Sequence, residues 1–473
     1  MIGICSYGAY VPLLRLKRED MIPLGGFAQP GEKSVANFDE DSLTMAVEAA
    51  RDCLVGVDSD SVDSWYFASV TPPFVEKQSA SIAASVLDLG EETYTVDLCD
   101  SLRASIDAIK MAADAVKAVS AKKVMITASD QRMAYPMSMM EQNLGDGAAA
   151  VLIGNTNVVA NIEGIHSISS EFVDQWRPDG DKFVHYWQDR FSLVRSYQPY
   201  MEKTIAEAMK KFGLEAKDLA KVVYNAPDAR SHATIARTLK LDAKQIQNPL
   251  FEVMGNTGSA FPLMLLVAAL EDAKPGDRIL VAAYGDGASV LILKVTSEIK
   301  KMAPRRGMRG HLKSKRKVSN YMRYMRMRHL YTMDPPRTLP VLPGFSQLWR
   351  EKDSMLRFKA SQCKQCGWVE FPIKRLCPKC YSKDNFDKVS LLDKKATLLS
   401  FSTDTTPLIP AATDSPMGRV IVDFESGARL EGEMTDWGAI EDLEVGQPLE
   451  MTFRKYERQG DVPAYSWKPR PVR

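Results

Sequence analysis

Two cysteine pairs carry the clearest chemistry in the chain. Cys363-x-x-Cys366 and Cys377-x-x-Cys380 are separated by ten residues. Each pair can form a tight turn presenting two thiolates to one metal, and two such turns complete a tetrahedral four-sulfur zinc site. With four cysteines and no open position, the zinc expected at Cys363, Cys366, Cys377 and Cys380 is structural. Cys99 stands apart from them. It follows a strand-like run, Tyr-Thr-Val-Asp-Leu, and precedes a helical pattern that begins at Leu102. A thiol at a helix N-terminus meets partial positive charge, which favours the thiolate. Exposed backbone N–H groups there can also hold a developing oxyanion. Cys99 is therefore the candidate nucleophile. Cys5 and Cys53 read as small buried hydrophobes.

The elements that must position these groups alternate between short apolar strands and helices, the pattern of an α/β region over residues 1–296. Strands are predicted over 65–70, 94–98, 123–128, 149–153, 222–225, 278–283 and 289–295. Helices are predicted over 41–54, 79–87, 102–118, 200–212, 232–239 and 259–268. One tetrapeptide recurs: Gly145-Asp146-Gly147-Ala148 and Gly285-Asp286-Gly287-Ala288 each lead into an apolar strand. The shared context predicts two similar halves. Beyond the second cysteine pair, strand-like runs at 397–403, 420–424, 428–433 and 448–454 predict a small, OB-like barrel.

The chain has 473 residues, 45% hydrophobic and 26% charged, enough for several domains with real cores. Seven cysteines are too few for a disulfide scaffold, so a reducing cytosol is the expected compartment. No apolar run offers a membrane span, and the start of the chain lacks the basic segment of a signal peptide. The formal net charge of +1 is unevenly spread: residues 300–329 hold twelve lysines and arginines and no acid. This belt reads either as a solvated connector, stiffened at its exit by Pro335, Pro336 and Pro340, or as a surface for a coenzyme phosphate. Nucleic acid is not expected as a partner, because the rest of the chain is net acidic.

With these pieces in order, residues 1–296 resemble the thiolase superfamily. They look most like hydroxymethylglutaryl-CoA synthases and the related initiating ketoacyl synthases. The matching segments are Val96-Asp-Leu-Cys99, Leu144-Gly-Asp-Gly-Ala-Ala-Ala150, Phe172-Val-Asp-Gln-Trp-Arg-Pro-Asp-Gly180, Gly255-Asn256-Thr257-Gly258-Ser259 and Tyr284-Gly-Asp-Gly-Ala288. The tail resembles the zinc-ribbon/OB acyl-CoA-associated domain found beside or fused to such synthases. The expected architecture is a duplicated thiolase-like βαβ core over 1–296, a basic linker over 297–345, a zinc ribbon over 346–390 and an OB-like barrel over 391–473.

The resemblance implies a homodimeric acyltransferase that forms a carbon–carbon bond by Claisen-type condensation. Its substrate would be a coenzyme A thioester and its intermediate an acyl-Cys99. Asn256 matches the family's hydrogen-bonding asparagine. Two positions depart from the synthases: Val70 stands where they carry a catalytic glutamate, and Asn225 where they carry a histidine. Thiolases have an asparagine at the latter point, positioning a water in the oxyanion hole, but their second cysteine is absent near Ala283. Asp286 is the candidate substitute base, and His232 a weaker one. Arg230, Arg305, Arg306 and Arg309 are the expected contacts for the CoA phosphates. The missing glutamate and histidine leave two alternatives open. One is thiolase- or aldolase-type cleavage of an acyl-CoA; the other is a non-catalytic scaffold serving a further thiolase-type subunit.

Overall fold

The computed structural model describes residues 1–22, 25–331, 344–404, 416–459 and 462–473. The three prolines at 335, 336 and 340 lie outside them. The chain divides into two compact units. One holds residues 1–36, 41–84 and 89–324; the other holds 37–40, 85–88 and 325–473.

The first unit is built on nine strands: β1 (Gly3–Tyr10), β2 (Ser64–Ala68), β3 (Tyr94–Leu98), β4 (Lys123–Asp130), β5 (Gly147–Gly154), β6 (Ala160–Ser169), β7 (Lys221–Tyr224), β8 (Arg278–Tyr284) and β9 (Gly287–Val295). Their order is β7-β8-β9-β6-β1-β5-β4-β2-β3. Read outward from the centre, the two sides repeat. β1 pairs antiparallel with β5, β5 antiparallel with β4, and β4 parallel with β2. Likewise β6 pairs antiparallel with β9, β9 antiparallel with β8, and β8 parallel with β7. The two Gly-Asp-Gly-Ala copies open β5 and β9, equivalent strands of the two halves. The duplication read from one tetrapeptide is thus a property of the sheet.

Helices cover this sheet where their apolar faces require it. α1 (Ser42–Leu54) starts at a capping box in which Asp41 accepts from the Thr44 N–H. α2 (Ser79–Val86) and α3 (Ala104–Lys117) follow β2 and β3. α4 (Gln198–Lys211) and α5 (Ala229–Thr238) flank β7. α6 (Phe261–Leu270) is apolar all round, and every residue but Ala268 is buried, as a helix without a solvent face must be.

The expected core boundary at 296 is corrected by this unit. Buried Asp52 on α1 accepts from Ala9, Arg306 and Gly307 backbone N–H groups at 2.9–3.0 Å. These bonds tie the start of the basic belt to β1 and α1, so the belt as far as Tyr324 is part of the core rather than a linker.

The second unit holds two sheets. A three-stranded one, β10 (Lys359–Cys363), β11 (Val369–Glu370) and β12 (Phe386–Ser390), carries the cysteine turns. A five-stranded one contains β13 (Ala396–Asp404), β14 (Met417–Phe424), β15 (Arg429–Met434), β16 (Pro448–Gln459) and β17 (Val462–Pro471), in the order β15-β14-β13-β16-β17. Its edges approach each other: the Thr435 N–H donates to the Pro469 carbonyl at 3.0 Å, so the sheet curls toward closure. Inside, fully buried Arg454 meets Asp39, Glu40 and Asp436. Lys468 bridges Asp39 at 3.1 Å and Glu433 at 3.2 Å. This network binds the segment 37–40 into the second unit.

Candidate active site

A cavity of about 500 Å³ opens in the first unit. Its lining residues sit just beyond the C-terminal ends of strands: Val70 after β2, Leu102 after β3, Arg132 after β4, Asn225 after β7, and Gly285 and Asp286 after β8. Ligand sites of open α/β sheets favour this edge. Gly285 is required here. A Cβ on it would come within 3.0 Å of the Leu102 and Arg103 N atoms, so only glycine lets the start of α3 close against the β8–β9 turn.

Two asparagines converge on the cavity. The Asn225 Nδ2 donates to the Tyr284 carbonyl at 3.1 Å, while its Oδ1 accepts from the Tyr284 N–H at 2.8 Å. The Asn256 Nδ2 donates to the Ala226 carbonyl at 3.0 Å, and its Oδ1 accepts from the Gly258 N–H at 2.9 Å. These bonds fix both carboxamides. Each NH₂ carries two hydrogens and uses one in this way, so each has a second donor beside the cavity that its residue lines.

Other polar groups were not singled out by the sequence reading. The Tyr284 hydroxyl lies in the cavity wall, donates to Asp174 at 2.6 Å and meets the Ser196 Oγ at 2.6 Å. Burial, reinforced by Asp174, pushes this phenol upward and keeps it protonated. Asp174 belongs to the Phe172–Gly180 segment, whose composition alone gave it no role. Asp286 occupies an exposed turn with φ 48° at the cavity's edge.

Cys99 departs from its expected setting. α3 begins at Ala104, not at residue 102, and Asp100 turns the chain through a left-handed φ of 73°. The thiol therefore sits at a strand end. The cavity wall is formed by Asp100 and Leu102 on either side of that turn, without Cys99. Burial, together with Asp97, Asp100 and Asp130, pushes the Cys99 thiol up to about 11. The shift is thus opposite in direction to that expected of a thiol at a helix terminus.

The basic residues also divide. Arg305 donates to the Ser6 hydroxyl at 2.8 Å and the Tyr7 carbonyl at 2.6 Å, and covers the Tyr7 ring. Arg309 pairs with Asp272 and Glu271, and the Arg306 N–H is bound to Asp52. None of the three lines the cavity; they brace the belt against the core. Arg230 lies exposed on the first turn of α5, next to Asp228, which caps that helix and lines the cavity. His232 is buried against Tyr224, with ring centroids 4.1 Å apart, and burial lowers its pKa to about 4. It is a neutral packing residue.

In the second unit the four thiols of Cys363, Cys366, Cys377 and Cys380 lie within 4.8 Å of one another. The 363–380 and 366–377 sulfur pairs are each 3.6 Å apart. Two Zn–S bonds of about 2.3 Å at a tetrahedral angle separate sulfurs by about 3.8 Å. The donor set therefore fits zinc in both number and spacing.

Comparison with known proteins agrees with the first unit. A family model of the 3-oxoacyl-[acyl-carrier-protein] synthase III C-terminal part matches residues 209–295, which contain Asn225, Asn256 and Asp286. The hydroxymethylglutaryl-CoA synthase of Methanopyrus kandleri is 30% identical over 319 residues, 64% of this chain and 91% of that protein. The chain belongs to the hydroxymethylglutaryl-CoA synthase family. It is accordingly an acyltransferase, a Claisen-type condensing enzyme of the thiolase superfamily. A solved hydroxymethylglutaryl-CoA synthase complexed with CoA matches with a TM-score of 0.62 at 18% identity, over 69% of this chain and 89% of that one. The 3-oxoacyl-[acyl-carrier-protein] synthase III of Aquifex aeolicus matches at 0.55 and 19%, over 62% and 100%. At such identities these two structures speak for the fold. Val70 and Asn225 both line the cavity, the one as hydrocarbon and the other as a carboxamide. No helix among the described residues is long and apolar enough to cross a membrane.

Proposed function

We propose that this chain makes or breaks a carbon–carbon bond beside the carbonyl of an acyl-CoA thioester, held with its acyl end in the cavity. The convergence of the Asn225 and Asn256 carboxamides beside the start of α3 carries this reading. As an α-proton leaves, charge moves onto the thioester oxygen. Fixed N–H donors and a helix N-terminus stabilise such an enolate. Asp286 is the base in this scheme. Arg230 is the cation that meets the CoA phosphates. Condensation and retro-aldol cleavage share the enolate, so both directions use the same groups. A raised thiol pKa and a place outside the cavity wall favour a route without an acyl-Cys99 intermediate.

The test is α-proton exchange of acetyl-CoA in heavy water, followed together with intact-protein mass. Exchange is expected in the wild type and should slow by about 10²–10⁴ in Asp286→Asn, the usual loss for a positioned base. Absence of exchange with acetyl-CoA and longer thioesters would sink the reading. An acyl mass gained by the wild type and not by Cys99→Ser would restore the acyl-enzyme route.

The proposal extends to the tail: one structural zinc at the four cysteines, followed by an OB-like barrel. The barrel reading rests on the strand order and the Thr435–Pro469 edge contact. It extends also to a homodimer, which light scattering on the purified chain tests.

A further inference from the structure

The Asn225 and Asn256 carboxamides depend on one short stretch of backbone. Asn225 and Ala226 are the first residues past β7, and both are buried. The Ala226 carbonyl orients Asn256 by accepting from its Nδ2 at 3.0 Å. The Asn225 carboxamide is tied at both ends to the Tyr284 main chain. The ladder to β8 fades here, with the Asn225 N–H reaching the Ala282 carbonyl at 3.4 Å. A hydroxyl takes over: the Tyr197 Oη donates to the Asn225 carbonyl at 2.9 Å.

Tyr197 is itself buried and lines the cavity. It ends a wide helical turn, Leu193–Tyr197, through which the chain enters α4. There the Gln198 N–H donates to the Leu193 carbonyl, five residues back instead of four. Such turns are rare and recur at functional sites. The wider turn separates consecutive side chains by less than the ~100° of an α-helix, and here two consecutive residues point inward. Ser196 meets the Tyr284 hydroxyl at 2.6 Å. Tyr197 packs edge-on against the Tyr284 ring, with centroids 5.3 Å apart. Val194 and Arg195, just before them, face solvent. Burial, with Tyr224, Asp228 and Tyr284 nearby, pushes the Tyr197 phenol upward, so it keeps its proton. A phenol has one proton to donate, and this one is spent on Asn225.

We infer that Tyr197 is a positioning residue for both oxyanion donors: its hydroxyl holds the 225–226 backbone through which the Asn225 and Asn256 carboxamides are set. This rests on the acyl-CoA reading above and deepens it.

The test is acetyl-CoA exchange in heavy water at varied substrate concentration. Tyr197→Phe removes one oxygen and keeps the ring on Tyr284. It should lower the maximal rate about tenfold, part of the 10²–10³ lost with an oxyanion donor outright. KM should stay within about twofold, because the hydroxyl touches no substrate. In Asn225→Ala and in Asn256→Ala the same change should cost less than about threefold, since one of the groups it positions is already gone. At position 197, 4-aminophenylalanine returns a donor to the same point, whereas 4-fluorophenylalanine cannot donate. The first should keep most of the wild-type rate and the second should lose it, a comparison that decides the matter even if Tyr197→Phe does not fold. Equal losses from Tyr197→Phe in all three backgrounds would make Tyr197 a packing residue and overturn the inference. A raised KM at an unchanged maximal rate would mark a direct substrate contact and likewise overturn it. Wild-type exchange that Tyr197→Phe leaves untouched overturns this inference and leaves the acyl-CoA reading standing. Absence of exchange in the wild type overturns both.

Discussion

Arg454 and Arg132 are both buried arginines, and they occupy opposite situations. Arg454 has no solvent exposure and is surrounded by Asp39, Glu40 and Asp436, with the Asp436 contact at 2.5 Å. Arg132 has one neutral amide and an open cavity. The cysteines divide the same way. Four in the tail converge on a common centre, whereas Cys99 stands among carboxylates at a strand end. Where a reactive group is surrounded by its complement, its role is to hold the fold. Where the side-chain hydrogen-bond partner is neutral and a cavity adjoins, the group is open to a ligand. This distinction separates scaffold from site in this molecule.

The largest test of the scaffold side is the metal. Structural zinc contributes about 10–16 kcal/mol to forming its own module. One zinc per purified chain is expected, and Cys377→Ser should lose it and unfold or aggregate the tail. Elemental analysis without zinc, on a protein whose tail resists proteolysis, would break the assignment.

A smaller effect is expected at Arg454. Removing one member of a buried ion network leaves the others uncompensated, typically at about 3–5 kcal/mol. Arg454→Met should show this in chemical denaturation, while Arg132→Met, whose side-chain hydrogen-bond partner is the neutral Gln175, should cost less. Comparable losses would erase the contrast between the two arginines. The pH dependence has a definite sign. Despite burial, Arg454 and Arg470 hold the Asp436 carboxyl at about 2, below the ordinary unfolded aspartate near about 3.9. The network's contribution is therefore full above that value and lost as pH falls from about 4 toward 2. Thermal melts across this range should show the tail weakening with acid in the wild type and less so in Asp436→Asn.

On the site side, Asn256→Ala should lower the exchange rate of acetyl-CoA by about 10²–10³, the usual loss of an oxyanion donor, with a small change in melting temperature. Asn225→Ala should lower both, because its carboxamide also bridges β7 to β8 through Tyr284.

Much of the frame was legible because its outer strands are apolar runs of ordinary β composition. The two central strands were not. β1 reads Gly-Ile-Cys-Ser-Tyr-Gly-Ala-Tyr, and its glycines exist for close approach: a Cβ on Gly8 would strike the α1 backbone at Ala49 and Cys53. β6 reads Ala-Asn-Ile-Glu-Gly-Ile-His-Ser-Ile-Ser, where Gly164 makes room for the Phe212 ring. Tertiary contact chose these residues against strand propensity. In the site, Asn256 and Asp286 were visible because glycine-rich turns mark them, and Asn225 because the family resemblance points to its position. Arg132 and Tyr284 were not, since burial and the absence of a partner are properties of the fold. The same motif can also part company with itself. Asp286 is exposed at the cavity, while Asp146, in the equivalent turn, is buried and accepts from the Ala36 N–H at 2.7 Å.

The smallest effect is expected at Cys99, and it bears directly on the comparison. A thiol with pKa about 11 is ionised at neutral pH to the order of one part in ten thousand, and the thiolate is the nucleophile. Nothing in its surroundings would lower that value on substrate binding: the nearby charges are Asp97, Asp100 and Asp130, and a CoA ester brings more negative charge. Cys99→Ser should therefore change the exchange rate by less than about threefold, within the spread of ordinary near-site substitutions. Iodoacetamide should label Cys99 more slowly than an unhindered thiol at pH 8. Rapid labelling, together with loss of activity in Cys99→Ser, would make this cysteine a participant in the reaction. The turn at Asp100 would then have to rearrange to bring the sulfur to the cavity wall, which is formed without it.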